Sequence, residues 1–535
     1  MVAGIGGTIA ALHYHELGLT LSHYDARGHL VVARRIIDSV TPGWQQIGAV
    51  WLPLPHLLNA LPVQVDAWYR SGASAVVISI AAFAVAVGAI ARIVLALTGL
   101  KAAAVAAAAL FAFNPNVLVL QSTPMTEPLL MGLITLAVAM LMDWCSRSRP
   151  GPLDPADAAV SWRVRRTRPT TPIGCAFALA CLTRYEAWPV TAAALAAAAW
   201  TLWRQGESPA ASLRRVAPIA AFPVLAIAGF LVFSRVVIGQ WLVTSGFFVP
   251  ENPALGSPLL SAGQIWFGLQ RLSGTLALGA GTVGVIALIA LGVTRSGWSP
   301  ALVVVSLGAT AALPWLAFVE GHPFRIRYMV PLVALEAIGA GVAAGLAHRV
   351  LHRITTVNAE TAEHAKRGFS AGSASSALIV AVFALIAFEL RPLDSEAPMV
   401  VEAQWDRPNV PVREQVTACI GHPLSGGKIM ASMGSLGHYM QETSRAGFHL
   451  RDFLHEGNGD IWLAALDSGP QPFAEWVVIE EKAEGGDMLA MRAREDPRFL
   501  DGYSRVCEGG GLALYQRTSA TTEVTGTNGG PEKAQ

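Results

Sequence analysis

The chain has 535 residues, of which 53% are hydrophobic and only 14% are charged, and its formal net charge is +1. With a mean hydropathy of +0.46 it is too apolar for a water-soluble enzyme of ordinary composition. The near-neutral charge gives no basic field of the kind that nucleic-acid binders show, which excludes nucleic acid as a partner. The composition therefore predicts an α-helical polytopic membrane protein.

Apolar runs recur along the chain at close to the roughly 20 residues that a helix needs to cross a bilayer. The first run is interrupted by His13, His15 and Glu16, and it lacks the basic start of a cleavable signal peptide. The fifth and sixth runs are short and are split by "TRYEAWPV". We predict eleven spans, at 1–20, 73–98, 102–120, 127–144, 172–187, 188–204, 216–238, 274–294, 299–319, 328–347 and 374–391.

Loop charge predicts how these spans are oriented. If 172–204 forms two spans, the Arg-rich loops at 147–169, around Arg214 and Arg215, and at 348–368 share one side, which the positive-inside rule makes cytoplasmic. None of these loops is long enough for a nucleotide-binding domain, whose βαβ unit alone takes about 30 residues. A cytosolic nucleotide sugar is therefore not the expected substrate. The predicted outer side receives 21–72, 121–126, 184–189, 239–273, 320–327 and everything after 391.

The C-terminal part changes character at "ELRPLDSEAP". "GKIMASM", "AEWVVIEE" and "GLALYQR" have the pattern of strands, and "LGHYMQETS" and "DIWLAALDSG" that of helices. We predict a transmembrane catalytic domain over 1–391, an extracytoplasmic α/β domain over 392–517, and a polar, disordered tail over 518–535. Of the five cysteines, Cys419 and Cys507 share the oxidising compartment, and we predict a disulfide between them.

The first outer loop concentrates ionisable residues in "LSHYDARGHLVVARRIIDSV". Residues 27–40 have the pattern of a helix lying in the membrane interface, with Arg27, Arg34 and Asp38 on its solvent face. Such a helix is either the floor of a lipid-substrate site or a simple anchor. The apolar face would carry Leu30, Ala33, Ile36, Ile37 and Val40.

Asp25 precedes this helix and stands between His23 and His29. The two histidines have a spacing that a metal site could use, but an interfacial histidine is more often simply solvated. No "DxD" motif is present in this loop. We therefore predict no metal and no other cofactor.

Charged residues also stand at the mouths of later outer loops. Glu127 follows "STPMT", Arg184 and Glu186 flank Tyr185, and the "FVEGHPFRIRYMVPL" segment is rich in polar groups. Any one of them is ordinary at a helix end, where a long side chain reaches water at little cost. Their recurrence at successive outer loops predicts that they converge. A carboxylate that accepts a proton and fixed positive charge for a departing phosphate are what transfer from a phosphate donor needs.

The motifs "HYDARGHLVVARRI", "STPMTEPLL", "LTRYEAWPV" and "HPFRIRYMVPL", followed by an outer α/β domain, resemble the GT-C superfamily of integral-membrane glycosyltransferases. The resemblance is to relatives of the protein mannosyltransferases and aminoarabinose transferases. It implies that a sugar moves, with inversion, from a polyprenyl-phosphate donor to a lipid, glycan or protein acceptor on the outer face of the plasma membrane. Membrane lipids are the other expected partners.

The resemblance also implies roles for individual residues. Asp25 would be the catalytic carboxylate, although many relatives have two acidic residues in this loop. Arg325 and Arg327 would be candidates for the lipid phosphate, and Glu127 would help to shape the site. The remaining candidate substrate-binding residues are His29, Arg184, Glu186, His322 and Tyr328.

Two other classes of function stay open on the sequence alone. A transporter or flippase of lipid-linked sugars would place ionisable groups and broken helices near the bilayer midplane, where only Glu336 is a plausible candidate. A non-catalytic envelope assembly protein would instead use its outer domain to bind a partner.

Overall fold

The computed structural model describes residues 1–146, 170–243, 252–361, 377–378, 380–382, 384–421, 427–482 and 485–518. The predicted basic loop at 147–169, the end of the predicted basic segment 348–368 from 362 on, and the predicted tail from 519 on lie outside these residues. Contacts divide the chain into two compact units: Met1–Asp38 with Pro42–Pro408, and Ser39–Thr41 with the chain from Asn409 on. The second unit thus begins at 409, whereas the sequence analysis placed the boundary after 391.

The first unit is helical, and its helices follow the apolar runs closely. The predicted spans at 172–187 and 188–204 are two separate helices, as the loop charges indicated. The helices are α1 (Val2–Glu16), α2 (Tyr24–Arg34), α3 (Leu54–Asn59), α4 (Asp66–Ser71), α5 (Ala73–Thr98), α6 (Lys101–Ala112), α7 (Pro115–Gln121), α8 (Glu127–Ser146), α9 (Thr170–Cys181), α10 (Ala187–Arg204), α11 (Pro209–Ile238), α12 (Pro258–Ser273), α13 (Thr275–Thr294), α14 (Ala301–Val305), α15 (Ala312–Val319), α16 (Leu332–Thr361) and α17 (Pro398–Glu402).

Within the described part of the chain, six helical stretches are long and apolar enough to cross a membrane, and the bent pair α6–α7 makes a seventh candidate. One of the six combines α14 and α15 over Ala301–Val319. The last predicted span, 374–391, lies partly outside the described residues, which show a short helical turn at Ile386–Leu390. The chain is a multi-pass membrane protein, and the count of eleven spans stays a prediction.

The predicted span 102–120 is broken between α6 and α7, whose axes differ by 64°. Asn114 caps α7 by accepting hydrogen bonds from the backbone N–H groups of Asn116 and Val117. The side-chain amides of Asn114 and Asn116 both donate to the carbonyl of Leu272, at 3.0 and 2.9 Å. The break is therefore a packed junction with α12, where polar backbone is paired inside the protein.

Two of the long helices, α13 and α16, approach each other through glycine. A Cβ atom on Gly284 would overlap the carbonyl group of Gly339, and one on Gly339 would overlap the carbonyl oxygen of Gly281. Close backbone approach at small residues is the usual way in which membrane helices gain packing contacts without a hydrophobic driving force. This crossing joins α16, which follows the loop that carries Arg327, to α13.

The segment that follows α1 corrects one prediction. The helix there ends at Arg34, and Arg34 and Asp38 are 4% and 2% exposed, so the assignment of Asp38 to solvent is wrong. Arg34 donates to Asp38 at 2.9 Å and pairs with Asp66 at 2.7 Å, and its guanidinium lies over the Tyr69 ring. The predicted helix over 27–40 is therefore shorter than expected, Ile37 of its predicted apolar face is 48% exposed, and the polar residue Arg34 packs against α4 instead of water. Such burial is tolerated because the charges are paired and hydrogen bonded.

The second unit is an α/β domain, as predicted. Its strands are β1 (Ile429–Ala431), β2 (Phe453–Leu454), β3 (Trp476–Glu480), β4 (Tyr503–Gly509) and β5 (Leu512–Arg517), in the order β2-β1-β3-β5-β4. β2, β1 and β3 are parallel, while β5 runs antiparallel to both β3 and β4. Its helices are α18 (Val410–Ile420), α19 (Met433–Thr443), α20 (Asp460–Ser468) and α21 (Met488–Glu495).

A disulfide joins Cys419 of α18 to Cys507 of β4, as predicted. It closes a separation of 88 residues and ties the first helix of the second unit to the edge of its sheet. Cross-linking a loop of this length stabilises a domain mainly by restricting its unfolded chain.

Candidate functional site

The centre of the site is an ion pair between Asp25 and Arg327. Asp25 lies in the first turn of α2, where a carboxylate also interacts favourably with the helix dipole. Arg327 Nη2 lies 2.5 Å from Asp25 Oδ2, and the two side chains are only 9% and 15% exposed. Two loops that were predicted to share one side of the membrane, and that are about 300 residues apart in sequence, are thus brought together, as the sequence analysis expected.

Burial alone would raise the pKa of Asp25, but Arg327, His23 and His29 lower it, and the net direction is down. Burial lowers the pKa of Arg327, which Asp25 more than offsets, so that its pKa lies well above the usual value. Both groups are consequently charged at any physiological pH. Asp25 is a permanent carboxylate beside a permanent cation.

His23 connects this pair to the backbone. It is the N-cap residue of α2, where its Nδ1 atom accepts a hydrogen bond from the backbone N–H of Asp25 at 3.1 Å. Its Nε2 atom lies 2.9 Å from Arg327 Nη1. A neutral imidazole accepts at one nitrogen only, and an arginine can only donate. The two contacts therefore compete for the same ring, and the tautomer of His23 decides which one is a hydrogen bond.

Glu402, at the end of α17, is a member of this cluster that the sequence analysis missed. Its Oε1 atom lies 3.6 Å from His23 Nε2, and the residue is 3% exposed. Next to it, Asp406 accepts a hydrogen bond from Arg27 at 2.8 Å. Both acids follow the last predicted span, in a stretch that was assigned to the outer domain, so no sequence pattern placed them near Asp25.

A second ion cluster surrounds Arg184, between α9 and α10. Arg184 Nη1 lies 3.0 Å from Glu127 Oε1 and also donates to the Thr126 hydroxyl, while Nη2 lies 2.6 Å from Glu186 Oε1. Glu127 is fully buried at the start of α8. Its contact with Arg184 is an ion pair without hydrogen-bond geometry, so neither oxygen of Glu127 accepts a hydrogen bond from the described residues.

The two clusters lie within electrostatic reach of each other. The positive charge of Arg327 acts to lower the pKa of Arg184, and that of Arg184 acts to lower the pKa of His29. The two guanidinium groups are matched by the carboxylates of Asp25, Glu127 and Glu186, so both cations are held in place and the region carries no excess of positive charge. Planar guanidinium groups are well suited to hold a phosphate with two parallel hydrogen bonds.

His29 lies one helical turn after Asp25 and is packed in an aromatic group. Its Nδ1 atom lies 3.0 Å from His56 Nε2, and its ring centre lies 4.1 Å from that of Trp51. Burial is the main reason why the pKa of His29 falls to about 3, and the pKa of His56 is also well below its usual value. Both rings are neutral at pH 7, and one N–H joins them.

The "HPFRIRY" loop separates its two arginines. Arg325 has an extended backbone and is half-buried, with its guanidinium over the Trp405 ring, whereas Arg327 lies in the 3₁₀ turn Ile326–Met329. His322 lies near the hydroxyl of Tyr328, at 3.4 Å from Nε2, and the Tyr328 ring lies against Arg327. Of the two arginines, Arg327 is the one that the structure brings to Asp25.

A polar cavity of about 550 Å³ lies elsewhere in the first unit, between α7, α12 and the segment 389–398. Neither Asp25 nor Arg327 lines it. The deep acid Glu336 is buried on α16, in a small cavity beside Asn114 and Ser273. Within the described ranges, no three His, Cys, Asp or Glu side chains are grouped in a way that could hold a metal ion.

The first unit is a multi-pass helical unit whose ionisable residues gather at a few loops, and the second is a small α/β domain. No family model and no curated protein sequence matches the chain. Among solved structures it is similar to ArnT from Cupriavidus metallidurans bound to undecaprenyl phosphate, with a TM-score of 0.55 and 13% identity over 96% of this chain and 98% of that one.

The apo state of the same ArnT matches with a TM-score of 0.50 and 12% identity, over 96% of this chain and 98% of that one. The likeness extends over both units of the fold. The predicted fold, a helical membrane domain with a small C-terminal α/β domain, is confirmed and resembles that of ArnT.

Proposed function

We propose that this protein is a membrane glycosyltransferase that takes a sugar from a polyprenyl-phosphate donor, with Asp25 as the base. The observation that carries the proposal is the buried Asp25–Arg327 ion pair, with the Arg184 cluster beside it. The similar ArnT structure that holds undecaprenyl phosphate supports a polyprenyl phosphate as the lipid. The proposal includes inversion at the anomeric carbon and a reaction on the outer face of the plasma membrane. The experiment below is designed to identify the sugar and the acceptor.

In the proposed reaction the carboxylate acts on the acceptor and the two arginines act on the phosphate. Asp25 accepts the proton of an acceptor hydroxyl as its oxygen attacks the anomeric carbon from the side opposite the phosphate. The bond from the anomeric carbon to the phosphate oxygen breaks, and the electron pair leaves with the lipid phosphate. Arg327 and Arg184 stabilise the negative charge that develops there, in a site from which water is largely excluded.

The lowered pKa of Asp25 has a consequence for this step. An ionised carboxylate is always ready to accept a proton, but a weak base gives little driving force for the transfer. When the donor phosphate binds Arg327, part of the positive charge that depresses the pKa of Asp25 is neutralised. Donor binding therefore strengthens the base at the moment when it is needed.

A transporter would have a broken helix, and α6–α7 is one. The polar side chains at that break, however, are already paired within the protein. The asparagines at the break are hydrogen bonded to Leu272 and to the backbone N–H of Met399. Polar groups that are satisfied internally offer little to an ion or a sugar. The ionisable residues instead gather at Asp25, Arg327 and Arg184, which favours transfer.

The experiment is to incubate the purified full-length protein with a panel of undecaprenyl-phosphate-linked sugars and cell-envelope acceptors. We expect undecaprenyl phosphate to be released only when a suitable acceptor is present, together with a glycosylated acceptor of inverted anomeric configuration. Movement of intact lipid-linked sugar across vesicle membranes without its cleavage would contradict the proposal and favour a flippase.

A further inference from the structure

Glu402 is a buried carboxylate that the proposed reaction does not use. It is 3% exposed, and neither of its oxygens accepts a hydrogen bond from the described residues. A carboxylate in such a place destabilises the folded protein unless a positive charge or a hydrogen-bond donor compensates it. Its closest basic neighbour is His23 Nε2, at 3.6 Å, and it is also one of the anions that raise the pKa of Arg327.

The position of Glu402 is fixed by contacts on both sides of it. Met399 donates its backbone N–H to Asn116 Oδ1 at 2.9 Å, and Asp406 accepts a hydrogen bond from Arg27 at 2.8 Å. Glu402 lies between these two anchors. It is therefore held against His23 by α7 on one side and by α2 on the other.

The neutral ring of His23 has three polar neighbours and cannot make a favourable contact with all three at once. Its Nδ1 atom faces the N–H of Asp25, and its Nε2 atom faces both Arg327, which only donates, and Glu402, which only accepts. A proton on Nε2 faces the Glu402 carboxylate at 3.6 Å, where the attraction is electrostatic and not a hydrogen bond, and leaves Nδ1 free to cap α2. A proton on Nδ1 breaks the cap and turns Nε2 into an acceptor that binds Arg327.

We propose that Glu402 is a positioning residue that holds the Nε2–H form of His23 and so leaves Arg327 available to Asp25 and the lipid phosphate. Without the carboxylate, the Nε2 atom accepts a hydrogen bond from Arg327 and competes with the phosphate for it. The inference rests on the proposed function, because it assigns Arg327 to the donor phosphate. Glu402 itself touches neither donor nor acceptor and acts through His23.

The test compares Glu402→Met, which removes both acceptor oxygens at similar volume, with Glu402→Gln, which keeps one. Undecaprenyl phosphate is the probe, and its Kd is measured for the full-length protein in detergent. We expect Glu402→Met to raise the Kd about tenfold, as contacts within one network commonly do, and Glu402→Gln to restore most of the loss. Glu396→Gln, an exposed acid in the same segment, is the matched control and should leave the Kd unchanged.

His23→Asn completes the experiment. Asparagine still caps α2 but lacks the ring nitrogen that faces Glu402 and Arg327. If Glu402 acts through His23, then Glu402→Met has no further effect on the Kd in the His23→Asn background. A full tenfold effect in that background would overturn the inference, because Glu402 would then act on Arg327 directly or through the fold.

The inference and the proposed function fail in different ways. A wild-type protein that neither binds undecaprenyl phosphate nor releases it from any donor contradicts the proposed function. A wild-type protein that does both, with Glu402→Met indistinguishable from Glu396→Gln, contradicts the role of Glu402 alone.

Discussion

At the scale of single residues, the structure separates side chains that look equivalent in the sequence. Arg325 and Arg327 are two positions apart in one loop, and both were candidates for the phosphate. The turn at Ile326–Met329 buries Arg327 against Asp25 and leaves Arg325 half-buried over Trp405. Residue type alone cannot make this distinction, because it depends on the backbone of the loop.

This difference gives a direct prediction. Arg327→Lys should lower transfer roughly 10²-fold, because one ammonium group cannot contact Asp25 and a phosphate with the fixed fork of a guanidinium. Arg325→Lys should have little effect and serves as the matched control. Steady-state rates with the best donor of the panel, together with thermal unfolding to show that both variants fold, decide the outcome. Loss of activity in Arg325→Lys alone would reverse the assignment.

At the scale of elements, helix packing sets where the loops of the site stand. α13 and α16 cross through Gly281, Gly284 and Gly339, with no room for a side chain at the contact. Since α16 begins just after the turn that carries Arg327, the crossing fixes the helix from which that turn leads off.

Gly284→Ala should therefore destabilise the first unit, by roughly 1–3 kcal/mol, because the added methyl overlaps the backbone of Gly339. Gly279→Ala, on the same helix with open space around it, is the control and should be neutral or slightly stabilising. The measurement is thermal unfolding in detergent. Equal unfolding temperatures for the two variants would show that the helices do not cross as described.

In the second unit, Asp487 links β3 to α21 and should make local stability depend on pH. It accepts hydrogen bonds from the backbone N–H groups of Ala490 and Glu480, yet burial raises its pKa from 3.8 to about 6. A carboxyl group whose pKa is raised in the folded state contributes its full stabilisation of the folded protein at pH values below the pKa that it has in the unfolded chain. That contribution is lost as pH rises through the folded pKa.

We therefore compare the hydrogen-exchange protection of the α21 amides in the wild type with that in Asp487→Asn at the same pH. The protection in the wild type, taken relative to the variant, should be greater near pH 4 than near pH 7. Hydrogen exchange read by mass spectrometry on the full-length protein measures it, and comparison at equal pH cancels the intrinsic change in exchange rate. A difference that is constant or grows from pH 4 to pH 7 would contradict the raised pKa.

At the scale of the whole molecule, the sequence predicted the fold better than it predicted the site. Apolar runs and alternating strands were enough for the helical unit, for the main strands and for the Cys419–Cys507 bridge, because hydrophobic period and redox compartment are local or compositional signals. The convergence of Asp25 with Arg327, and of Glu127 with Arg184, followed from placing all outer loops on one side.

The misses share a physical cause. Asp38 was assigned to solvent because helical periodicity separates polar from apolar faces but does not say what covers the polar face. Glu402 was missed because its role depends on a chain segment that folds back onto α2 after the last predicted span. Both are tertiary contacts between segments far apart in sequence, which no local pattern records.

The central claim is that Asp25 is the base of a transfer reaction. The most direct measurement is the rate of undecaprenyl phosphate release by Asp25→Asn, with Glu16→Gln, an exposed acid at the end of α1, as the control. We predict a loss of roughly 10²- to 10⁴-fold in Asp25→Asn, the range for a positioned proton transfer, with normal folding and a wild-type rate in Glu16→Gln. Full turnover in Asp25→Asn, together with its loss in Glu127→Gln, would contradict the claim and make Glu127 the base.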